Sequence, residues 1–263
     1  MECIWRDEFD GNELDLNVWE IQHGTGAKLG LKGWGNNEAQ FYHADNVTVR
    51  DGLLRIEARQ EVRDCPVEGR RAYTSGRIRS TGATGFSTQY GRIEARIKLP
   101  AGNGLWPAFW MLPTHSPYGG WPMSGEIDIM EAKGRTPARS SGALHYGSRW
   151  PHHTYSHFDH AFPPGADITD FNRYAVEWEA DEIRWYVNDT LIGTERKWWS
   201  RRPDAAENYP HLAPFDQPFH IVLNLAVGGS FDPQGSKAMH AGDFPAVMLV
   251  AYVRVYVDFK KVE

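Results

Sequence analysis

A period-two alternation of apolar and polar side chains recurs along this chain and limits what it can fold into. In the segment 91–100, Ile93, Ala95, Ile97 and Leu99 alternate with charged residues. Because successive side chains on a strand point to opposite faces, this pattern is typical of a half-buried β-strand. No window of helical length keeps an apolar face at i, i+3, i+4 and i+7. The chain is therefore predicted to be all-β.

Further strands follow from the same alternation and from apolar, β-branched runs. Segments 174–178 and 183–187 alternate, and Asn188-Asp189 supplies a turn toward another short strand, which predicts an antiparallel meander. Segments 221–227 and 247–257 are strongly apolar, as central strands are. Strands with one apolar face must bury it against a second layer, so we predict two packed antiparallel sheets. No repeat or linker divides the chain, and residues 1–263 are expected to form a single domain.

Charge and composition exclude several classes of protein. The chain has 28 Lys and Arg against 34 Asp and Glu, and its pI of about 6.0 argues against a nucleic-acid partner. No apolar stretch approaches the ~18 residues that span a bilayer. The first residues lack a basic start followed by an apolar region, so no secretory signal is visible. Cys3 and Cys65 leave one disulfide or two free thiols equally open.

Three acidic residues in segment 125–131 are the most specific chemical feature. Glu126 and Asp128 are two residues apart and share a face, whereas Glu131 comes one residue late for that face. A β-bulge at Ile129-Met130 would absorb the extra residue and return Glu131 to the same side. We predict that bulge.

Carboxylates in one row repel each other, which a strand selected only for stability would avoid. Two unit charges ~5.5 Å apart at an effective dielectric constant of about 20 interact by about 3 kcal/mol, or about two pKa units. One carboxyl group can then stay protonated near neutral pH while another is ionised. Glycoside hydrolysis needs that division between an acid and a carboxylate. The alternative is a solvated acidic strand without chemistry.

Tryptophans flank the acidic strand. Alternation in 104–112 places Trp106 and Trp110 on one face, and Trp121 lies in a Gly/Pro-rich segment just before the acids. Indole rings beside carboxylates are typical of a sugar-binding cleft, although tryptophans can also fill a core. Candidates for hydrogen bonds to sugar hydroxyls are Asn37, Arg77 and Asn224.

Other candidate sites have weaker support. Segment 150–160 holds four histidines but lacks the H-E-x-x-H zinc pattern, so we interpret it as a turn-rich, solvated loop and predict no metal site. The glycine-rich segment 24–35 has no phosphate-binding motif, and no G-x-S-x-G serine elbow is present.

Segment 125–131 resembles the E-x-D-x-x-E signature of family 16 glycoside hydrolases, in the bulged form of laminarinases (endo-β-1,3-glucanases), agarases and carrageenases. The laminarinase branch is favoured by further similar segments, distributed along essentially the whole chain, at 7–11, 34–42, 73–78, 90–112, 214–219 and 224–229.

The resemblance implies a β-jelly-roll sandwich with a concave substrate cleft. It also implies retaining endo-hydrolysis of β-1,3-glucosidic linkages in laminarin-type or mixed-linkage β-glucans by double displacement. Glu126 would be the nucleophile, Glu131 the general acid and base, and Asp128 the residue that holds the nucleophile. The substrate-binding positions implied are Trp106, Trp110 and Trp121 along the cleft, and Asn37, Arg77, His145 and Asn224 around the glycone side.

Cofactors, partners and location also follow from the resemblance. Many relatives bind a structural calcium through an Asp of the last strand, but Ala251 stands at that position, so we expect no required cofactor and no calcium. The hydrophilic insertion 64–69 has no assigned role. We expect an extracellular or periplasmic monomer that binds a β-glucan polysaccharide or oligosaccharide, without nucleic-acid or membrane partners. The alternatives are hydrolysis of mixed-linkage glucan, agarose or carrageenan, a non-catalytic glucan-binding module, and a metal-dependent hydrolase.

Overall fold

Twenty β-strands and one short α-helix make up the part of the chain that the structure, a computed structural model, describes: residues 1–65, 68–202 and 207–258. In chain order the strands are β1 (Glu2–Asp7), β2 (Glu20–Ile21), β3 (Gln40–Tyr42), β4 (Val47–Arg50), β5 (Leu53–Ala58), β6 (Arg63–Cys65), β7 (Gly69–Arg71), β8 (Tyr73–Ser75), β9 (Arg77–Arg79), β10 (Ser87–Thr88), β11 (Gly91–Lys98), β12 (Leu105–Pro113), β13 (Glu126–Glu131), β14 (Arg139–Gly147), β15 (His153–Ala161), β16 (Asn172–Trp178), β17 (Ile183–Val187), β18 (Thr190–Glu195), β19 (Phe219–Val227) and β20 (Ala246–Val257). The helix α1 spans Pro233–Ala238, and 3-10 turns lie at Ala27–Leu29, Lys32–Gly35, Ala44–Asn46 and Ala241–Asp243.

Two antiparallel sheets of eight strands each form the two layers. The outer sheet has the order β18-β17-β16-β11-β20-β5-β4, with β1 beside β20. The second sheet, which we call the site sheet, has the order β15-β14-β13-β12-β19-β9-β2, with β10 beside β19. The predicted all-β sandwich of two antiparallel sheets is therefore confirmed, and its strand order is that of a β-jelly roll.

The hydrophobic core fills the space between the two sheets. Ile93, Ala95 and Ile97 of β11 are fully buried, as their alternation with charged residues predicts. Every residue of β19 is buried, which fits its place between β12 and β9 near the centre of the site sheet. Trp178 and Trp185 are among the largest buried side chains. Burial of apolar area contributes about 25 cal/mol per Å² to the stability of the fold. This core therefore fixes the shape of the site sheet, including its outward face.

The predicted meander is present as β16, β17 and β18, which pair in sequence. Asn188 and Asp189 join the last two strands with φ values of 48° and 66°. Both residues lie in the left-handed region that a two-residue hairpin turn requires, and Asn and Asp adopt this region more readily than most residues.

The histidine-rich segment is a strand, and its interpretation as a turn-rich loop was wrong. Residues His153–Ala161 form β15, which pairs with β14 along its whole length at one edge of the site sheet. The burial pattern alternates, but many of the alternating residues are histidines, which are neither clearly apolar nor clearly polar. The prediction failed because the period of two is hidden when histidine occupies both faces.

The hydrophilic insertion forms a hairpin in which β6 pairs with β7. Glu68 at its tip accepts a hydrogen bond of 2.5 Å from the Thr25 backbone N–H. A Cβ atom at Gly24, whose φ is +91°, would lie 2.6 Å from the Glu68 carboxylate. The hairpin thus fixes the start of the loop that carries Trp34 into the site.

The structure also bears on the two cysteines and on membrane-spanning segments. Cys3 is an exposed free thiol, whereas the side chain of Cys65 lies outside the described atoms. Within the described ranges, none of the helices has the length and apolar character needed to cross a bilayer.

Candidate active site

The acidic strand β13 contains a bulge at its centre. Against β12, the register skips Ile129, which lies between Asp128 and Met130. Against β14, two residues of β13 oppose a single residue between the partners of Asp128 and Glu131. Ile129 and Met130 are both buried in the core. The predicted bulge is present, and it returns Glu131 to the face that carries Glu126 and Asp128.

Indole groups bind both glutamates of this row. Trp121 Nε1 donates a hydrogen bond of 2.8 Å to Glu126 Oε2, and Trp106 Nε1 donates one of 2.9 Å to Glu131 Oε1. Asp128 is 4 % exposed and Glu131 8 % exposed. The carboxyl groups are therefore oriented by rings that also form the walls around them.

All three carboxyl groups have raised pKa values. Burial, followed by the charge of Asp128, raises the pKa of Glu126 to about 8. Burial and then the charge of Glu131 raise the pKa of Asp128 well above its usual range, and burial raises the pKa of Glu131. Burial thus outweighs the mutual repulsion on which the sequence argument relied. Since the pKa of Glu126 lies at about 8, the row retains a proton near neutral pH.

His145 lies opposite Glu126 in the pairing of β13 with β14. Its Nε2 atom is 3.3 Å from Asp128 Oδ2. One ligand atom from each of these three side chains lies within 4.8 Å of the others. An imidazole with two carboxylates could hold a first-row transition metal, although a proton shared among these groups accounts for the same arrangement.

A chain of hydrogen bonds runs beneath Trp110 to a buried carboxylate. Trp110 Nε1 donates to Asn224 Oδ1 at 2.7 Å, and Asn224 Nδ2 donates to the Tyr42 hydroxyl at 3.2 Å. The Tyr42 hydroxyl donates to Glu38 Oε2 at 3.0 Å, and Gln40 donates to the same oxygen at 2.7 Å. This chain fixes the orientation of the Asn224 amide and of the Trp110 ring.

Arg77 lies between two indole rings. Its guanidinium carbon is 4.4 Å from the Trp34 ring centroid and 4.8 Å from that of Trp110. Its Nε donates to Gln22 Oε1 at 2.5 Å, and the residue is 7 % exposed. Cation–π contacts of this kind are worth about 2 kcal/mol when desolvated. Arg77 therefore supports Trp110 from within the cleft floor.

Asn37 and Trp106 lie at the margin of the site. Asn37 is exposed, and its Nδ2 donates to Ser230 Oγ at 2.9 Å. The Trp106 ring stacks on Phe231 with centroids 4.9 Å apart, and Lys133 Nζ lies 4.7 Å from the same Phe231 ring. Two loops distant in sequence thus meet at this end of the cleft.

Strand pairing aligns the site residues across the sheet. Arg77 pairs with Asn224, Asn224 with Ala108, and Ala108 with Glu131, so one row crosses four strands. The cleft therefore runs across the strands. The ten residues that the sequence singled out all lie on this face or its margin: Asn37, Arg77, Trp106, Trp110, Trp121, Glu126, Asp128, Glu131, His145 and Asn224.

Sequence reasoning missed several residues that complete the site. They are Trp34, Glu38, Gln40, Tyr42, Trp150, Tyr155 and Phe231. Most lie in segments that the resemblance already covered or in the strand mistaken for a loop. The sequence signal that could have identified them is Glu38, an acidic residue between Trp34 and Phe41. A buried carboxylate needs hydrogen-bond donors close by, so its neighbours are candidates for the site.

The convex-face position implied for calcium lacks the acidic side chain that the family resemblance places there. Ala251 offers no carboxylate, and Glu8 of the N-terminal region is bound by Arg254. The Arg254 Nε and Nη2 atoms lie 2.8 and 2.9 Å from the two Glu8 oxygens. A calcium ion takes six to eight oxygen ligands, and the Glu8 carboxylate is already occupied by a guanidinium.

Carboxyl groups that share protons between indole rings, in a cleft open across a β-sheet, can donate a proton to an oxygen and present a carboxylate to a sugar ring. The fold and the site together define a carbohydrate-active β-sandwich. The chain belongs to the glycosyl hydrolases family 16, whose family model matches residues 35–243.

Known relatives agree with this assignment. The chain is 45 % identical to the glucan endo-1,3-beta-glucosidase A1 of Niallia circulans over 97 % of its own length, but it spans only 38 % of that protein. It is 41 % identical to a beta-glucanase of Rhodothermus marinus, covering 97 % of this chain and 85 % of the relative. Among solved structures, the laminarinase catalytic domain of Thermotoga maritima superposes with a TM-score of 0.84 at 35 % identity, covering 98 % of both chains.

Proposed function

We propose that this chain hydrolyses internal β-1,3-glucosidic linkages of laminarin-type or mixed-linkage β-glucans with retention of anomeric configuration. The observation that carries the proposal is the bulge in β13, which brings Glu126, Asp128 and Glu131 to one face between Trp106 and Trp121. The relatives named glucan endo-1,3-beta-glucosidase and laminarinase support the choice of substrate.

In the first step, protonated Glu131 donates its proton to the glycosidic oxygen while the Glu126 carboxylate attacks the anomeric carbon. The bond from that carbon to the leaving oxygen breaks, and a glycosyl ester with Glu126 forms. The raised pKa of Glu131 keeps its proton available. Because the pKa of Glu126 is raised to about 8, the reactive form is the one in which Glu126 has lost its proton while Asp128 keeps one, so that the negative charge is on Glu126.

In the second step, the Glu131 carboxylate takes a proton from a water molecule, and the resulting hydroxide attacks the anomeric carbon. The ester bond breaks, Glu126 is released as a carboxylate, and Glu131 is protonated again. His145, 3.3 Å from Asp128, helps to hold Asp128 in place through both steps.

Substrate binding is assigned to rings and amides along the cleft. Trp106, Trp110 and Trp121 stack on or border pyranose rings, while Asn37 binds hydroxyl groups. Asn224, which is 5 % exposed, acts mainly through the hydrogen bond that it accepts from Trp110. Arg77 acts mainly through its stacking on Trp110, since it is 7 % exposed. No metal or other cofactor is assigned a part in the reaction.

The chain is further proposed to act as a monomeric single domain outside the cytoplasm, where β-glucan polymers are accessible. This part of the proposal rests on the resemblance to the family, in which an open cleft serves a polymeric substrate.

The test is incubation with laminarin while the first anomer formed is followed by NMR. An initial β-anomer is expected, and an initial α-anomer would contradict retention. Glu126→Gln should lower turnover by several orders of magnitude with the fold intact. Surviving activity would show that Glu126 is not the nucleophile.

A binding-only function has one specific argument in its favour. A beta-1,3-glucan-binding protein of Penaeus monodon is 38 % identical over 62 % of this chain. That function predicts laminarin binding without new reducing ends. A reducing-sugar screen over laminarin, lichenan, agarose and carrageenan separates the binding function and the other polysaccharides from the proposed activity.

A further inference from the structure

Large exposed aromatic side chains are concentrated in one place. Among the described residues, the large hydrophobic side chains that are exposed include only three aromatic ones: Trp121 at 45 %, Trp150 at 60 % and Tyr155 at 60 %. Their ring contacts instead join them to one another and to His145 and His153. Exposed apolar area that no core explains is a common mark of a binding surface.

These residues form one continuous patch, which we call the edge patch: Trp121, Trp150, His153 and Tyr155. The Trp150 ring centroid lies 5.9 Å from that of Trp121 and 4.9 Å from that of His153, and His153 lies 6.2 Å from Tyr155. The exposed rings therefore present a nearly continuous aromatic surface.

The edge patch begins at the carboxylate row. Trp121 donates to Glu126, and strand pairing places His145 beside Glu126 and Tyr155 beside His145. The His145 and Tyr155 rings stack with centroids 5.6 Å apart. The cleft thus extends from β13 across β14 to the edge strand β15.

The patch carries little charge near neutral pH. Burial, followed by the neighbouring His145, lowers the pKa of His153. An uncharged imidazole between aromatic rings is compatible with stacking against the apolar face of a pyranose. A chain of glucose residues, neutral and with alternating apolar faces and hydroxyl edges, matches this surface.

We propose that Trp150 and Tyr155 bind glucosyl residues on the aglycone side of the scissile bond, and so set the preference of the enzyme for long chains. This inference rests on the proposed function. Three of the four polar residues that the family resemblance places around the glycone, Asn37, Arg77 and Asn224, lie on the other side of the carboxylate row. The fourth, His145, lies on β14 opposite Glu126, between the row and the edge patch, so we assign the glycone side from the other three. The edge patch is therefore on the side of the leaving chain segment.

The first experiment compares Trp150→Ala with wild type on two substrates. On a β-1,3-glucohexaose, kcat/KM should fall about tenfold, the effect of losing about 1.4 kcal/mol of stacking. On an aryl β-laminaribioside, whose leaving group is a phenol, kcat/KM should stay within about twofold. Tyr155→Ala should show the same split, and Trp150→Tyr should recover part of the loss.

Leu191→Ala is the matched control, since Leu191 is 52 % exposed but lies in β18 of the outer sheet. Leu191→Ala should leave kcat/KM on both substrates unchanged. An unchanged hexaose kcat/KM in Trp150→Ala would overturn the proposal. An equal loss on both substrates would overturn it as well, because Trp150 would then act on the structure of the site rather than on the distant sugars.

A binding measurement distinguishes a failure of this inference from a failure of the proposed function. Calorimetric titration of Glu126→Gln with the hexaose should give a Kd that rises about tenfold when Trp150→Ala is added. If wild type hydrolyses neither substrate, the hydrolytic function fails, yet this titration still tests the edge patch. A Kd unaffected by Trp150→Ala would overturn the aglycone surface even in an active enzyme.

Discussion

Replacing Glu126 by Gln should make the folded chain more stable in mildly alkaline solution. The pKa of Glu126 is raised from 4.5 to about 8, chiefly by burial and then by Asp128. At about 1.4 kcal/mol per pKa unit, ionising this group in the folded chain costs at most about 5 kcal/mol. Glu126 keeps partial exposure, and solvent screening reduces the expected gain to about 2–3 kcal/mol.

The direction of the pH dependence follows from proton binding. A carboxyl group with a higher pKa in the folded than in the unfolded chain holds a proton that the unfolded chain has lost. The contribution of the protonated Glu126 to the free energy of unfolding is fully present below about pH 4.5 and is lost as the pH rises toward about 8. Glu126→Gln cannot ionise, so its advantage over wild type should appear above pH 5 and be largest near pH 8.5. Gln also keeps an oxygen that can accept from Trp121.

The assay is urea unfolding at a series of pH values, supported by thermal melts. At pH 8.5, the Tm of Glu126→Gln should exceed that of wild type by about 6 °C, and at pH 4.5 the two should agree. Glu13→Gln, at an exposed site, is the control and should leave the Tm unchanged at both pH values. Equal stability of Glu126→Gln and wild type at pH 8.5, or a gain independent of pH, would refute the reasoning.

Three further predictions concern other parts of the molecule. Trp106→Phe removes a hydrogen bond that lowers the pKa of Glu131, so the alkaline limb of the kcat/KM profile should move to higher pH; an unmoved limb would contradict this. Gly142→Ala should cost about 1–3 kcal/mol in urea unfolding, because its Cβ would lie 2.3 Å from the Trp185 ring; a neutral effect would show that the ring can shift freely. EDTA should leave the Tm unchanged, since Ala251 has no side-chain oxygen to bind calcium; a Tm that falls with EDTA and returns with calcium would show that the ion binds.

Much of the site could be predicted from the sequence because its parts are local. The spacing of Glu126, Asp128 and Glu131 conflicts with the period of a strand by one residue, and a bulge is the simplest local solution. The apolar residues Ile129 and Met130 at the point of conflict indicate where the bulge lies. Local spacing and residue type are therefore sufficient to predict that the three acidic residues lie on one face.

The supporting contacts could not be predicted in this way. Tyr42 and Asn224 are 182 positions apart, so their hydrogen bond depends on sheet order rather than on any local pattern. The stacking of Arg77 between Trp34 and Trp110 likewise joins three separate elements. The edge strand was missed because its histidines disguise the alternation.

The bulge in β13 also determines where the chain can change in length. Removing one residue at Ile129 or Met130 would restore a regular strand with acids at every second position, all still facing the cleft. A deletion between Glu126 and Asp128 would instead turn one acid toward the core, where an unpaired charge is prohibitively costly. The bulge at Ile129 and Met130 is therefore the point in the strand at which insertions and deletions can accumulate during evolution. It is also the place where the motif can be shortened by design with all three acids kept on the cleft face.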